Sequence, residues 1–489
     1  MILKRSDYFF ALAAMALAVV GTLAIANPTS PLGLYALMGL AGIVLVMGII
    51  IKPSLGAYIL IIAVFTNISK HLTGLGYPSI IKPLVGVVAV AIVIHYSYAE
   101  RPPGGNERTS AVQSFLFVYL IAAVLSFIFA TDKDIAATAI IDLAKDIVII
   151  YCVIFALRDT HSWKVAVWIV LVTTAALCLL GLYQVLTGNY SQMFMGLGSV
   201  QMQQVLEGSS TPRLGGPVND PNVWGQVLVA IVPLVVYRII YEPRRLTKII
   251  GVITLSILLF EVLNTYSRGA YLALAILVVL IMFSFRISPL IPIAGVAVAG
   301  ILFFSLPPVY TQRFVSLSAL VPSSQAGIYQ DSSFRGRASE MLTGLRMFME
   351  HPLFGVGAGN YRTNYQKYAQ LIGIEVRAEE RDAHSLYIQV LAETGLIGAL
   401  AFAGIVTSLF SALGRISADL KRSKFRTTWR PWIVALQMSL IGYMLTSIFL
   451  HDAYIRYFWI LVAICISAIR ISAELLEHTK HATPSEAPY

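Results

Sequence analysis

The chain has 489 residues, of which 57% are hydrophobic and only 12% charged, with a mean hydropathy of +0.77. A soluble domain carries about 25% charged residues, so the bulk of this chain belongs in a bilayer. The net charge of +10 does not point to nucleic acid, because most basic residues fall in short connections between apolar runs, the topology signal of membrane proteins.

A helix needs about 20 apolar residues to cross the hydrocarbon core. The sequence predicts an all-α, polytopic membrane protein with spans near 7–26, 30–51, 54–69, 79–98, 111–130, 134–157, 162–186, 219–240, 247–265, 268–285, 288–306, 385–412, 431–450 and 454–473. The third is short and the sixth polar, so the expectation is about twelve to fourteen spans. Strands are nearly excluded, because the runs are long, lack alternation, and an open sheet cannot satisfy its backbone in lipid. The opening MILKRSD and its apolar run resemble a signal peptide, but no clean small-residue cleavage site follows, so it reads as a first span. Cys152, Cys178 and Cys465 all lie in apolar runs with no metal or disulfide spacing, which makes them small core residues.

Lys4 and Arg5, and alternate connections such as Lys52, Arg158, Arg244–Lys248 and Arg415–Arg430, hold most of the short-loop cations. That asymmetry places both termini in the cytoplasm and the loops near 187–218 and 307–384 outside. The expected organisation is spans over 1–306, an extracytoplasmic loop over 307–384, C-terminal spans over 385–474, and a disordered cytoplasmic tail over 475–489. Within the large loop, Ser332 and Ser333 can cap a helix with apolar Ala338, Met341, Leu342, Leu345, Phe348 and Met349 at helical spacing, ended by Pro352. Such a helix should lie on the membrane surface or roof the bundle. A second helix is expected over about Tyr361–Leu371.

The outward side collects cations that lack obvious acidic partners. Arg213 stands in TPRLGGPVNDPN and Arg268 in NTYSRGAY, a tight connection between spans; Lys82 and Lys145 lie within spans, and Arg362 in the large loop. Guanidinium forks and ammonium groups suit the oxygens of a diphosphate at the interface. The competing reading is interfacial snorkelling, and Asp142, Lys145 and Asp146 can instead satisfy one another along their helix. His384 opens the span after the loop, where its imidazole can accept a proton from a sugar hydroxyl or merely cap the helix; Asp382 and Glu379/Glu380 either orient it or form solvated surface. Gly355, Gly357 and Gly359 spell GxGxG without the strand a dinucleotide site requires. They read as a close-approach turn, able to offer amides to a phosphate or to act as a hinge.

Taken in order, Arg213-Leu214-Gly215 with Gly216 and Asn222, Ser267-Arg268-Gly269, His351-Pro352 through Gly359, and Ala383-His384-Ser385 resemble the motif set of the O-antigen ligase and polymerase family. Asparagine is commoner than Ser385 after the histidine. The resemblance implies a GT-C-like membrane glycosyltransferase of the bacterial inner membrane. It implies an undecaprenyl-diphosphate-linked glycan donor, a lipid A core, glycan or protein acceptor, membrane lipids as surroundings, and no cofactor, metal or nucleic acid. In that reading His384, Arg268 and Arg213 are catalytic. Lys82, Lys145 and Arg362 join the two arginines on the diphosphate, and His351 with the three glycines forms the loop motif. Polysaccharide polymerase and protein O-oligosaccharyltransferase are the near alternatives. A flippase would place its site on broken helices in internal repeats, and no repeat is present; a scaffold would give no reason for cations on one face.

Overall fold

The computed structural model describes residues 31–97, 107–206, 209–285, 332–374, 380–450 and 456–481. Long apolar runs become helices because a helix satisfies every backbone group within its own segment in lipid. The first seven are α1 (Pro31–Ile51), α2 (Pro53–Phe65), α3 (Ile68–Gly74), α4 (Ile81–Ser97), α5 (Glu107–Ser126), α6 (Lys133–Ala156) and α7 (Thr160–Thr187). After a two-stranded hairpin follow α8 (Pro221–Tyr241), α9 (Arg245–Asn264), α10 (Arg268–Phe285), α11 (Ser332–Glu350), α12 (Tyr361–Ile372), α13 (Leu386–Lys421), α14 (Arg430–Thr446) and α15 (Arg456–His481).

Seven described helices are long and apolar enough to cross a membrane, or eight if one bent pair is a single span. The expected spans 7–26 and 288–306 lie outside the described residues. Helix α6 carries Lys133, Asp134, Asp142, Lys145 and Asp146, and α4 and α14 have only 17 residues each. The runs expected as separate spans at 30–51 and 54–69 form the bent pair, turning by 119°. Lys52 is held at φ −137°, ψ 88° ahead of Pro53, because a proline drives the preceding residue out of the helical region. At the other end, α15 runs through His481, so residues 475–481 are helical rather than a disordered tail; an amphipathic face continues past the apolar span.

The bundle centres on α8, nearly all of it buried. Small residues let its neighbours approach closely, as membrane helices require. A Cβ on Gly225 would come within 2.9 Å of Ala270, and one on Gly442 within 3.4 Å of the Val229 carbonyl oxygen. Likewise Gly404 of α13 lets the Phe115 ring of α5 sit where a side chain would clash. Trp163, Trp429 and Trp432 pack edge to face with centroids 5.0 and 5.3 Å apart.

Strands do occur. β1 (Ser199–Leu206) and β2 (Ser209–Gly216) form an antiparallel hairpin, with Arg213 opposite Gln201 and Thr211 opposite Gln203. The argument against open sheets holds for hydrocarbon and not for a connection between helices.

Candidate active site

At the hairpin end of the bundle, Arg213 is 5% exposed. Its Nε donates to the Thr265 carbonyl at 2.8 Å, Nη1 to Gln203 Oε1 at 2.5 Å, and Nη2 to Asn222 Oδ1 at 3.0 Å. The guanidinium thus ties β2 to β1, to the first turn of α8, and to the turn that carries Ser267 and Arg268. Asp220 caps α8 by accepting from the Asn222 and Val223 amides at 2.7 and 3.2 Å, which fixes Asn222 for this contact. Gln203 is the member of this cluster that carried no sequence signal.

Arg268 is half-buried as the first residue of α10. The turn before it is tight: Tyr266 has φ +50°, Thr265 Oγ1 donates to Val262 O at 2.7 Å, and the Ser267 amide donates to Thr265 Oγ1 at 3.3 Å. A Cβ on the following Gly269 would lie 3.1 Å from Phe449. Two residues earlier, Ser447 accepts the Leu386 amide at 3.0 Å through its carbonyl, and the Gln226 side chain at 2.7 Å through its hydroxyl. One turn at the end of α14 therefore joins the Arg268 segment, α8 and the start of α13, where His384 sits.

His384 has φ +45°, a strained value for a residue with a side chain. Its Nδ1 lies 3.0 Å from Glu340 Oε2 and 3.1 Å from the Asp382 carbonyl oxygen. The Asp382 carboxylate faces Arg362 Nε at 3.2 Å. Glu340 lies on α11, whose buried face is Ser339, Glu340, Thr343, Gly344 and Met347. That face is not the apolar stripe: Leu342 and Met349 are 42% and 63% exposed. Gly344 explains the choice, since a Cβ there would come within 2.4 Å of Ile388 of α13 and 3.0 Å of the Tyr361 ring. The Tyr361 hydroxyl donates to the Glu340 carbonyl. Burial, with Glu340 next, pushes that phenol well above its ordinary value, so it stays a donor.

The glycine loop makes its close approach against α13 rather than a ligand. Gly355, Gly357 and Gly359 have φ of +70°, +103° and +73°, and a Cβ on Gly355 would meet the Ala392 carbonyl at 2.4 Å. The Val356 and Gly357 amides donate to the Ala392 and Glu393 carbonyls, Ala358 to Ser126 Oγ, and Gly359 to the Glu393 carboxylate. Gly355 N donates to His351 O, Asn360 N to Gly357 O, and Tyr361 N to Glu393 Oε1. These amides are therefore engaged within the protein and not presented to a phosphate. Helix α13 receives the loop by breaking at Gly395, with φ +64° and ψ −163°. His351 is half-buried at the end of α11.

A cleft of about 830 Å³ opens among these elements, lined by Lys70, Asp134, Asp142, Asp220, Arg362, Asp382 and Arg456 together with apolar side chains. The expected excess of cations on this side is corrected here. Lys145 pairs with Asp142 at 2.9 Å, and Arg456 donates to Asp146 at 2.9 Å and lies 3.9 Å from Asp142. Lys145 is thus matched locally, and Arg456, from the far end of the chain, completes the cluster. Of the sequence-expected site residues only Arg362 lines the cleft; Lys82 is exposed beside the lining residue Ile81, and His384 stands two positions from Asp382.

Fold and site together define a multi-pass helical membrane protein that concentrates buried and half-buried polar groups at one end of its bundle. Residues 253–403 match the family described as O-antigen ligase. That segment, which holds Arg268, Glu340, the glycine loop and His384, is the part of the chain that is similar to the O-antigen ligase family. Comparison with curated proteins gives no match.

Proposed function

We infer that the protein is a metal-independent membrane glycosyltransferase that moves a glycan from undecaprenyl diphosphate to an acceptor hydroxyl at the extracytoplasmic face of the bacterial inner membrane. The observation that carries this reading is His384, with its Nδ1 engaged by Glu340 and the cleft residue Asp382 two positions away, inside the segment that matches O-antigen ligase. His384 takes the acceptor proton as the acceptor oxygen attacks the anomeric carbon, and the glycosyl C–O bond breaks with its electron pair leaving on the diphosphate. Diphosphate is a good leaving group and needs no acid. Arg268, with Arg213 behind it, offsets the charge that develops, which is usually the largest catalytic contribution. Arg362 extends the donor site along the cleft, and Lys82 stands at its edge beside Ile81. Lys145, paired with Asp142, has the weakest claim to a place in it.

The test is turnover in vesicles and the lipid-linked glycan pool in cells lacking the gene, complemented with wild type, His384→Ala or Arg268→Ala. His384→Ala should lower the rate by ~10²–10⁴-fold and Arg268→Ala by at least ~100-fold; near-normal turnover in either variant removes that residue from the mechanism. EDTA should leave the wild-type rate unchanged, and a sharp loss would contradict a metal-free reaction. Long chains accumulating on the carrier identify a ligase acting on a core lipid or protein, and single repeat units identify a polymerase.

A further inference from the structure

We propose that Glu340 is a positioning residue for His384, acting through its negative charge to fix the imidazole tautomer and to stabilise the imidazolium formed during transfer. The proposal rests on the reading of His384 as the base. Nδ1 lies 3.0 Å from Glu340 Oε2 and 3.1 Å from the Asp382 carbonyl oxygen. A backbone carbonyl can only accept, so Nδ1 carries the hydrogen and the basic lone pair is on Nε2. As the acceptor O–H proton passes to Nε2, the ring becomes cationic, and the Glu340 carboxylate faces that charge from 3% exposure, where screening by water is weak.

The packing of α11 gives the proposal its second support. Burying a carboxylate costs free energy unless it is matched, and α11 has an apolar stripe that could have been buried instead. The helix turns Leu342 and Met349 outward and Glu340 inward toward α13. Its carbonyl is held by the Tyr361 hydroxyl, so the side chain springs from a fixed point. Among the described residues, charged groups around the ring include Glu340 from α11, Asp382 from the preceding segment, and Arg362 from α12. Arg362 is occupied by the Asp382 carboxylate at 3.2 Å. Glu340 thus brings a carboxylate side chain directly onto the imidazole.

Glu340→Gln keeps the shape and an accepting oxygen while removing the charge. Full-length protein in lipid nanodiscs would be assayed for undecaprenyl diphosphate release. The donor is the lipid-linked glycan that accumulates in cells lacking the gene, with membrane extract of the same cells as acceptor. The expected result is a kcat at least ~10-fold below wild type, an unchanged KM for the donor, and an unchanged melting temperature. In the His384→Ala background the same substitution should cause no further loss. Wild-type kcat in Glu340→Gln beside an inactive His384→Ala overturns the role of Glu340 and leaves His384 standing. An equal further loss in the His384→Ala background marks Glu340 as structural and also overturns it. Normal turnover by His384→Ala overturns the base assignment first and this proposal with it.

Discussion

Arg213 shows how one side chain can hold several elements. Its guanidinium reaches Thr265 before the Arg268 turn, Gln203 on the partner strand and Asn222 on α8. Lysine has no planar fork and cannot serve three acceptors in those directions, and unmatched buried polar groups cost about 1–3 kcal/mol each. Arg213→Lys is therefore expected to lose about as much turnover as Arg213→Ala, by at least ~100-fold, and to melt at a lower temperature. A lysine variant with wild-type turnover would show that charge alone suffices there. Arg213 and Asn222 stood in one motif of the family the sequence resembles, but their hydrogen bond was not legible, and Gln203 carried no signal because its strand lies in a connection where no periodicity stood out.

Among elements, α13 and the glycine loop depend on one another. The helix breaks at Gly395, where a Cβ would lie 2.4 Å from the Leu353 carbonyl carbon and oxygen, and the break admits the loop whose amides reach Ala392 and Glu393. Gly395→Ala would place a side chain at φ +64° against that backbone. The expected cost is about 1–3 kcal/mol, read as a lower melting temperature of the purified protein. An unchanged melting temperature would mean that the break is not needed to seat the loop. The sequence offered the glycines as a close-approach turn or a hinge. It did not reveal that the approaching partner is a helix start some thirty-five residues onward, since amide acceptors so far along the chain leave no local pattern. Helix α11 teaches the same lesson. Its apolar stripe was readable, but Gly344 against Ile388 decides that the opposite, polar face is buried.

At the scale of the whole molecule, the charged pairs among the described residues lie toward two ends of an apolar bundle. The end with the hairpin, α11 and α12 holds the paired clusters of Arg456, Asp146 and Asp142 and of Arg362 and Asp382. The other end carries the basic connection between α13 and α14, with Arg108 bound to Asp419 at 2.6 Å. If the hairpin end faces outward, Thr363→Cys should react with an impermeant maleimide in intact cells, and Arg426→Cys only after permeabilisation. Both positions are exposed, and Cys152, Cys178 and Cys465 are buried and should stay silent. Labelling of Arg426→Cys in intact cells would invert the proposed orientation.

The sequence by itself determined the membrane class, the ordered motif set and most helix positions, because these depend on the local density and period of apolar residues and on short spacings. Tertiary structure alone decided which acid faces His384, which strand and turn Arg213 serves, where the glycine amides go, and that Arg456 meets Asp146 across the chain. Those pairings join segments up to hundreds of residues apart. Their energies depend on burial and distance, quantities that exist only once the helices have packed.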